Sequence, residues 1–350
     1  MKKTRVLVVD DSVIIRRLLS SILAEDPTIE VVGVAANGRI ALQKMDHLQP
    51  DLVTLDVSMP DMDGLETLTE IRKTKPALPV IMFSTLTERG AEETLEALAR
   101  GASDYVAKPA NVDNVEAGMD SVRKQLLPKI KALCSVRTPL MATPRRTPVN
   151  TGALGGSPAG LQRCDLVVIG SSTGGVEALQ AVLSRFPENC PPTVIVQHVN
   201  PRFAAAIAKT LDLASPANVQ LAEHGMPMRP GTVYLAPGGE RHLAISGSAQ
   251  FNTRLVPGDP VSGHRPSVDV LFQSVAETAG RHAVGILLTG MGSDGARGLL
   301  AMAQAGAHTI AQDQATCTVF GMPKAAISLG AAGVVSPLEL IAQHALKKAA

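Results

Sequence analysis

Apolar segments of strand length alternate with amphipathic helical segments along the first third of this 350-residue chain. Such alternation is typical of a parallel sheet with helices on both faces. The first part is therefore predicted to form a doubly wound α/β domain. Its strands are predicted at 6–9, 29–35, 51–56, 79–83 and 104–107.

The second half of the chain repeats this pattern with one interruption. Three segments there follow one another through glycine-rich turns and alternate apolar with polar residues, which predicts a small antiparallel insert at 232–236, 241–245 and 251–256. Around the insert we expect a second doubly wound, mainly parallel α/β domain. Its parallel strands are predicted at 165–169, 193–198, 283–289, 309–312 and 333–335.

The composition changes between these two parts. No Asp or Glu occurs between Ser121 and Cys164, and prolines and glycines interrupt any periodicity in the later part of that segment. We therefore predict an N-terminal domain at 1–128, a flexible basic connector at 129–163 and a C-terminal domain at 164–350. The connector would be either a solvated tether without a partner or a segment that contacts an acidic surface.

Charge and composition disfavour several classes of protein. A net charge of +1 gives no strong field that would attract nucleic acid or a membrane surface. No apolar run reaches the roughly 18 residues that a membrane span needs, and Asp10 and Asp11 interrupt the first apolar segment too early for a signal peptide. The four cysteines form no C-x-x-C pair, which disfavours a zinc site and fits a reducing compartment. We expect a cytoplasmic protein.

Polar side chains end several strands of the predicted N-terminal sheet. Because ligands of such sheets gather at the carboxyl ends of the strands, these groups would share one edge. Carboxylates at one edge repel each other unless a cation lies among them, and oxygen ligands suit Mg²⁺. A hydroxyl and an ammonium group there can hold a phosphoryl group; the alternative is that these residues only close turns. The residues are Asp10, Asp11, Asp56, Ser84 and Lys108.

Residues 1 to about 125 resemble a response-regulator receiver domain, which has a flavodoxin-like fold. The resemblance implies that Asp56 accepts a phosphoryl group from a histidine kinase. It also implies that Asp11, Asp56 and the backbone carbonyl of Ser58 bind Mg²⁺, with Asp10 acting through water. The matching motifs are Val9-Asp10-Asp11-Ser12, Leu55-Asp56-Val57-Ser58-Met59-Pro60, Ser84, Tyr105 and Lys108-Pro109.

Three further roles follow from the same resemblance. Ser84 and Lys108 would bind the phosphoryl oxygens, and Tyr105 would be the aromatic residue that switches conformation. Tyr105 could equally be a packing residue of an edge strand.

A serine-rich turn follows the first predicted strand of the C-terminal domain. Gly170, Ser172 and Gly174 fit the pattern G-x-S-x-G, in which a serine hydroxyl is exposed on a sharp turn between a strand and a helix. The backbone amide beyond such a serine lies at a helix N-terminus, where negative charge is stabilised. The alternative is a turn that binds a phosphate or nothing.

Three polar groups end core strands of this domain: Ser172, His198 and Asp294. A serine needs a base to take its proton, and the base needs a third group to fix its tautomer. The chain order Ser, His, Asp differs from that of α/β-hydrolases, so the turn does not indicate that fold. Ser171 could be the exposed serine instead, His198 could be a core residue and Asp294 a helix cap. His264 is the rival base.

Residues 164 to about 348 resemble the catalytic domain of the chemotaxis protein-glutamate methylesterases, which we expect to be Rossmann-like. The resemblance implies a nucleophile at Ser172, a base at His198 and an orienting acid at Asp294. Met291 and the amide of Thr173 would help to form an oxyanion hole. The matching motifs are Gly170-Ser171-Ser172-Thr173-Gly174-Gly175, Gln197-His198, Gly263-His264-Arg265-Pro266-Ser267-Val268-Asp269 and Thr289-Gly290-Met291-Gly292-Ser293-Asp294-Gly295.

Together, the two resemblances imply a phosphorylation-activated hydrolase of chemotaxis adaptation. Its substrate would be methylated glutamates on the cytoplasmic helices of a membrane chemoreceptor, and some members also deamidate receptor glutamines. One departure is Ser171, where the family often has alanine. We expect a monomer that needs no cofactor in the catalytic domain, binds no nucleic acid and does not insert into the membrane.

As a hypothesis, the unphosphorylated receiver packs over Ser172 and phosphorylation loosens that packing. The alternative function is a receiver-controlled binding module, in which the turn at 170–175 binds a phosphate or nucleotide without covalent chemistry. A DNA-binding regulator is disfavoured, because the second half has neither a basic recognition helix nor a net positive charge.

Overall fold

The computed structural model describes residues 3–85, 87–109, 115–135, 165–247 and 250–347. Five strands and five helices alternate in the N-terminal domain. Strands β1 to β5 are Thr4–Val9, Ile29–Ala35, Leu52–Asp56, Val80–Ser84 and Asp104–Ala107, and helices α1 to α5 are Val13–Ala24, Gly38–Leu48, Gly64–Thr74, Glu88–Ala99 and Val115–Ser135.

The N-terminal strands form one parallel sheet in the order β2-β1-β3-β4-β5. Every residue of β3 and β4 is buried, as expected for strands covered by helices on both faces. Side chains of Ser12, Asn37 and Asp63 cap α1, α2 and α3 by accepting backbone hydrogen bonds. The sequence-based prediction of a doubly wound domain is confirmed.

Helix α5 is longer than the sequence pattern indicates. The N-terminal domain was predicted to end at residue 128, but the helix continues through Pro128 to Ser135. Proline normally interrupts a helix, whereas here Leu126, Ile130 and Leu133 lie on one buried face that spans the proline. The predicted start of the connector at residue 129 therefore falls inside α5, and residues 136–163 of the connector lie outside the described residues.

The C-terminal domain contains a seven-stranded parallel sheet and a separate two-stranded sheet. Strands β6 to β14 are Leu166–Ser171, Thr193–Gln197, Asn218–Leu221, Thr232–Leu235, Arg241–Ser246, Asn252–Pro257, Ala283–Leu287, His308–Gln312 and Val334–Ser336. Helices α6 to α11 are Gly175–Leu183, Pro201–Ala214, Val268–Thr278, Ala296–Gln304, Met322–Ser328 and Leu338–Leu346.

Strand β6 is central to the parallel sheet, whose order is β14-β13-β12-β6-β7-β9-β8. The small antiparallel sheet contains only β10 and β11. We had placed 232–236 in the antiparallel insert, but this segment is β9 and pairs in parallel with both β7 and β8. The assignment was wrong because Val233, Tyr234 and Leu235 are all buried, so the strand has no polar face. Strand β8 was not predicted.

The two domains meet at the carboxyl edge of the C-terminal sheet. Helix α4 packs against α7, where Leu98 and Phe203 belong to one apolar cluster. Leu133 of α5 shares a second cluster with Val319 and the partly buried Met291. Since α7, Met291 and Val319 follow the carboxyl ends of β7, β12 and β13, the N-terminal domain lies at the predicted catalytic edge. Among the described residues, no helix is both long and apolar enough to span a membrane.

Candidate active site

The predicted catalytic residues come together at the carboxyl edge of the C-terminal sheet. Ser172 follows β6, His198 follows the neighbouring strand β7, and Asp294 lies between β12 and α9. Nε2 of His198 lies 2.7 Å from Oδ2 of Asp294. Ser172 and His198 line one cavity of about 380 Å³.

Asp294 is 1% exposed and is held by the first turn of α8. Its carboxylate accepts hydrogen bonds from Ser267 Oγ at 2.8 Å and from the backbone N–H groups of Val268 at 2.8 Å and Asp269 at 3.1 Å. Burial alone would raise its pKa, but the hydrogen bond and charge of His198, with those donors, outweigh burial and lower the pKa to about 2. Asp294 therefore stays ionised. It does not cap α9, whose N-cap residue is Gly295.

His198 presents one free nitrogen to the site. Because Nε2 is directed at the Asp294 carboxylate, that nitrogen carries the proton and Nδ1 is left as the basic atom. Nδ1 is buried and makes no hydrogen bond within the described part of the chain. General-base chemistry requires such a basic nitrogen, on a residue that lines the same cavity as the nucleophile.

His264, the rival base, stacks on His198. The ring centroids are 3.7 Å apart and the planes are inclined by 7°. Burial, followed by the charge of His198, lowers the pKa of His264 to about 4. A weak base whose ring lies flat on His198 is a poorer candidate for taking a proton from Ser172 than His198 itself.

The two neighbouring serines have different environments. Ser171 ends β6 with no exposed surface, and its Oγ donates to Oε1 of Gln197 at 2.6 Å. Ser172 is half-buried and lines the cavity. The residue with left-handed backbone conformation in this turn is Gly174, the N-cap of α6, with φ of 74°. Ser172 therefore does not need the positive φ that would strain a serine.

Thr173 and Met291, the predicted oxyanion-hole residues, both line the same cavity. Thr173 is buried, and its carbonyl accepts a hydrogen bond from Thr289 Oγ1 at 3.0 Å. The backbone N–H of Ser172 donates to the carbonyl of Thr289 at 3.0 Å. Thr289 thus fixes the turn from the β12 side.

Three residues that position this site were missed as site residues. They are Gln197, Ser267 and Thr289, which contact the Ser172 turn or Asp294 through hydrogen bonds. Each lies inside a motif that carries the resemblance, but a motif does not say which member touches substrate and which orients another side chain.

The N-terminal domain forms one wall of the cavity. It contributes Tyr105, Lys124, Gln125 and Lys129 to the lining that also includes Ser172. The hydroxyl of Tyr105 accepts a hydrogen bond from the backbone N–H of Asn200 at 3.4 Å, and its ring centroid lies 4.5 Å from that of Phe203. Burial raises the pKa of Tyr105 above its usual range, so it remains a neutral phenol. Tyr105 of edge strand β5 therefore packs against the C-terminal domain.

A second polar site lies at the carboxyl edge of the N-terminal sheet. One carboxylate oxygen each of Asp10, Asp11 and Asp56 lies within 4.8 Å of the others. Nζ of Lys108 contacts Oδ2 of Asp10 at 2.9 Å and Oδ2 of Asp56 at 2.8 Å. Burial raises the pKa of Asp56 to about 6 despite Lys108, because one ammonium group does not offset the cost of ionising buried carboxylates. Three carboxylates beside a single ammonium group form an all-oxygen donor set with excess negative charge, which fits a divalent cation.

Ser84 and Ser58 flank this carboxylate cluster. Ser84 ends β4 beside Asp56 of β3, is 1% exposed and donates from Oγ to the carbonyl of Gly90 at 3.1 Å. Ser58 is exposed, two residues beyond Asp56, and its Oγ lies 3.5 Å from Oε2 of Glu93. The structure thus brings the predicted cation and phosphoryl ligands of the N-terminal site to one edge, whereas Tyr105 lies at the cavity that contains Ser172.

Comparisons with known proteins agree with both halves of this description. The family model for the response regulator receiver domain matches residues 6–119, and the model for CheB methylesterase matches residues 167–345. The chain is 51% identical over 331 residues to protein-glutamate methylesterase/protein-glutamine glutaminase 1 of Caulobacter vibrioides, covering 95% of this chain and 94% of that protein. It is 49% identical to the corresponding protein of Agrobacterium fabrum over 98% of this chain and 96% of that one.

Solved structures include a match to the C-terminal domain. The crystal structure of the Thermotoga maritima CheB methylesterase catalytic domain is 38% identical, has a TM-score of 0.51, and aligns over 52% of this chain and 97% of that one. The sequence relatives span nearly the whole chain, including both domains. This chain therefore belongs to the CheB methylesterase family of response regulators, in which a receiver domain is joined to a methylesterase domain.

Proposed function

We propose that this protein is a phosphorylation-activated methylesterase that removes methyl esters from glutamate side chains of chemoreceptors. The observation that carries the proposal is the hydrogen bond of 2.7 Å between His198 Nε2 and Asp294, which leaves Nδ1 without a hydrogen-bond partner among the described residues. His198 and Ser172 line the same cavity. The relatives' names, protein-glutamate methylesterase/protein-glutamine glutaminase, support the same chemistry.

The reaction begins at Ser172. Its hydroxyl attacks the γ-carbonyl carbon of the ester while Nδ1 of His198 takes the hydroxyl proton. The resulting oxyanion is stabilised by the backbone amide of Thr173, with Met291 beside it. The C–O bond then breaks, and the methoxide takes the proton from His198 and leaves as methanol.

The second half of the reaction uses water. His198 takes a proton from the water as its oxygen attacks the acyl-enzyme, and returns the proton to Ser172 when the glutamate carboxylate is released. Asp294 remains ionised throughout and stabilises the imidazolium form of His198. A glutamine side chain would follow the same path with ammonia as the leaving group, which is how deamidation would occur at this site.

Regulation would come from the receiver domain. Tyr105, Gln125 and Lys129 of the receiver line the cavity that contains Ser172, so a receptor helix cannot approach the serine through that wall. Phosphorylation that moves Tyr105 away from Asn200 and Phe203 would open the wall. In this arrangement the unphosphorylated receiver inhibits the esterase by blocking access to Ser172, and phosphorylation relieves the inhibition.

The phosphoryl group would be accepted by Asp56 from a histidine kinase. Asp11, Asp56 and the carbonyl of Ser58 would hold Mg²⁺, with Asp10 acting through water, and the cation would neutralise charge on the phosphoryl group. Lys108 and Ser84 would bind phosphoryl oxygens from the other side. We further propose a cytoplasmic monomer, since the methylated receptor helices are cytoplasmic, and a catalytic domain that begins at residue 164.

The decisive experiment is methanol release from methylated receptors, measured with and without a small-molecule phosphodonor. We expect slow release from the unphosphorylated protein and faster release with phosphodonor and Mg²⁺. Ser172→Ala should release no methanol in either state, and Asp56→Asn should remain at the slow rate. Equal release by Ser172→Ala and the unmodified protein would overturn the esterase proposal.

A further inference from the structure

Gln197 lies where β6, which leads to Ser172, separates from β7, which leads to His198. Residues 171 and 197 are a registered pair at the end of the β6–β7 ladder, and the last backbone bond runs from His198 N–H to the carbonyl of Ser171 at 3.0 Å. Beyond this bond, β6 continues into the turn that contains Ser172, and β7 continues into the loop that contains His198. No backbone hydrogen bond of the ladder holds these two segments at a fixed distance, so another contact is needed.

The side chain of Gln197 makes that connection. Nε2 donates to the carbonyl of Ser172 at 2.9 Å and to the carbonyl of His198 at 3.1 Å. Because carbonyl groups only accept hydrogen bonds, the amide must turn its nitrogen towards them. Its oxygen then faces Ser171, whose hydroxyl donates to Oε1 at 2.6 Å. Gln197 is 4% exposed, so water is not a ready substitute.

The first residue of α6 leaves space for this amide. A Cβ atom at Gly175 would lie 2.1 Å from Oε1 of Gln197 and 2.8 Å from Cβ of Ser171. Any side chain at 175 would displace the carboxamide from its three partners. The glycine at the start of α6 is therefore what allows the Gln197 amide to occupy this position.

We propose that Gln197 is a positioning residue that sets the distance between the Ser172 hydroxyl and the His198 imidazole. This inference rests on the esterase function proposed above. One amide holds the backbone of both residues, whereas Thr289 holds only the nucleophile turn, from the opposite side. Since Gln197 is bonded to neither reacting side chain, its removal is expected to change their spacing and leave their chemistry intact.

Gln197→Met is the main test, because methionine has a similar length and volume but makes none of the three hydrogen bonds. Misplacement of a reacting group by about 1 Å can cost about 100-fold. We expect kcat for methanol release by the full-length, phosphodonor-treated protein to fall about 10- to 100-fold, with KM unchanged. A merely structural role would lower the melting temperature or the amount of folded enzyme without this division between kcat and KM.

Ser171→Ala is the matched control. It removes only the hydrogen bond to Oε1 and leaves both bonds from Nε2. We therefore expect kcat to remain within about threefold of the unmodified value, which corresponds to about 0.65 kcal/mol in the activation barrier. Gln197→Glu is a second variant in case Gln197→Met does not fold. It has the same shape but places oxygen against the two carbonyl groups, so kcat should fall at least as far.

A fluorophosphonate that reacts with activated serines separates this inference from the proposed function. Labelling of Ser172 in the unmodified protein supports the esterase, and slower labelling of Gln197→Met in proportion to its kcat supports the positioning role. If both Gln197 variants fold and keep the labelling rate and kcat of the unmodified protein, the positioning role is overturned but the proposed function is not. Absence of labelling and of methanol release in the unmodified protein would overturn the proposed function.

Discussion

His264 lies flat on His198, with ring centroids 3.7 Å apart and planes inclined by 7°. The charged groups that act on His264 are His198, Asp294 and Lys129, and its own burial is the largest influence on its pKa. Burial and the charge of His198 lower that pKa from 6.5 to about 4. At neutral pH His264 is therefore an uncharged imidazole ring that stacks on His198, the predicted base.

This pKa predicts how stability changes with pH. The unfolded chain binds a proton at His264 near pH 6.5, whereas the folded protein does so only near pH 4, so this contribution to stability is present above pH 6.5 and lost as the pH falls towards 4. His264→Phe keeps a flat ring but cannot titrate. We expect acidification from pH 7.5 to 5 to lower the melting temperature of the unmodified protein more than that of His264→Phe. Equal decreases in the two proteins would contradict the prediction.

Asp294 supplies the second prediction. Asn in its place can donate its amide N–H to Nε2 of His198, which moves the imidazole proton to Nδ1 and removes the free basic nitrogen. By analogy with triads in other hydrolases, kcat should fall by about 10⁴-fold. The measurement is methanol release at saturating receptor concentration, with the melting temperature as the check on folding.

Two controls make the Asp294→Asn result specific. Ser267→Ala removes a single donor to the carboxylate and leaves the hydrogen bond to His198, so its loss of activity should be much smaller. Because the pKa of Asp294 is about 2, its charge should not titrate above pH 4 in the activity profile. A folded Asp294→Asn variant that keeps a tenth of the activity would exclude the orienting role.

The predicted triad and the carboxylate cluster could be located from sequence because polar residues at the ends of apolar strands are brought to one edge by a parallel sheet. The role of Gln197 could not, because its partners Ser171 and Ser172 lie on another strand and become neighbours only through the register of β6 with β7. The assignment of β9 to an antiparallel insert failed for a similar reason, since strand direction depends on pairing partners that the local pattern does not name.

The end of α5 shows a conflict between local preference and packing. Pro128 favours a helix end, but Ile130 and Leu133 continue the apolar face of Leu126 and are buried. Burial of such side chains contributes about 1.5–3 kcal/mol each, which is comparable to the cost of one internal proline. Only the structure shows that these side chains have a surface to pack against.

The raised pKa of Asp56 predicts a link between pH and Mg²⁺ binding. Burial, opposed by Lys108, raises this pKa from 3.8 to about 6, so the carboxyl group's contribution to stability is present below pH 3.8 and lost as the pH rises through about 6. Above pH 6 the ionised Asp56 is available as a ligand. We expect Mg²⁺ to raise the melting temperature more at pH 7.5 than at pH 5.

Asp56→Asn and Asp11→Asn serve as controls for this effect. Each removes one carboxylate from the cluster, so each should reduce the shift that Mg²⁺ causes at pH 7.5. Ca²⁺ and Mn²⁺ test whether any divalent cation suffices. The same Mg²⁺ shift at both pH values, or a full shift in both variants, would mean that the cation binds elsewhere.

Tyr105 offers the most direct test of inhibition by the receiver. Its ring packs against Phe203 at an interplanar angle of 35°, and its hydroxyl accepts a hydrogen bond from the Asn200 N–H. The Lys129 ammonium group lies 5.2 Å from the ring centroid. Tyr105→Ala removes all three contacts at the cavity wall. We therefore expect methanol release without phosphodonor to increase several-fold, while release with phosphodonor remains near the unmodified level.

Tyr105→Phe is the matched variant for this experiment. It keeps the ring on Phe203 and loses only the long hydrogen bond of 3.4 Å from Asn200, so its basal activity should rise much less than that of Tyr105→Ala. Phosphorylation of Asp56 by a small-molecule phosphodonor, measured in both variants, shows whether the receiver remains folded. If Tyr105→Ala accepts phosphate normally yet has unchanged basal activity, the contact of Tyr105 with the loop after His198 does not limit access to Ser172.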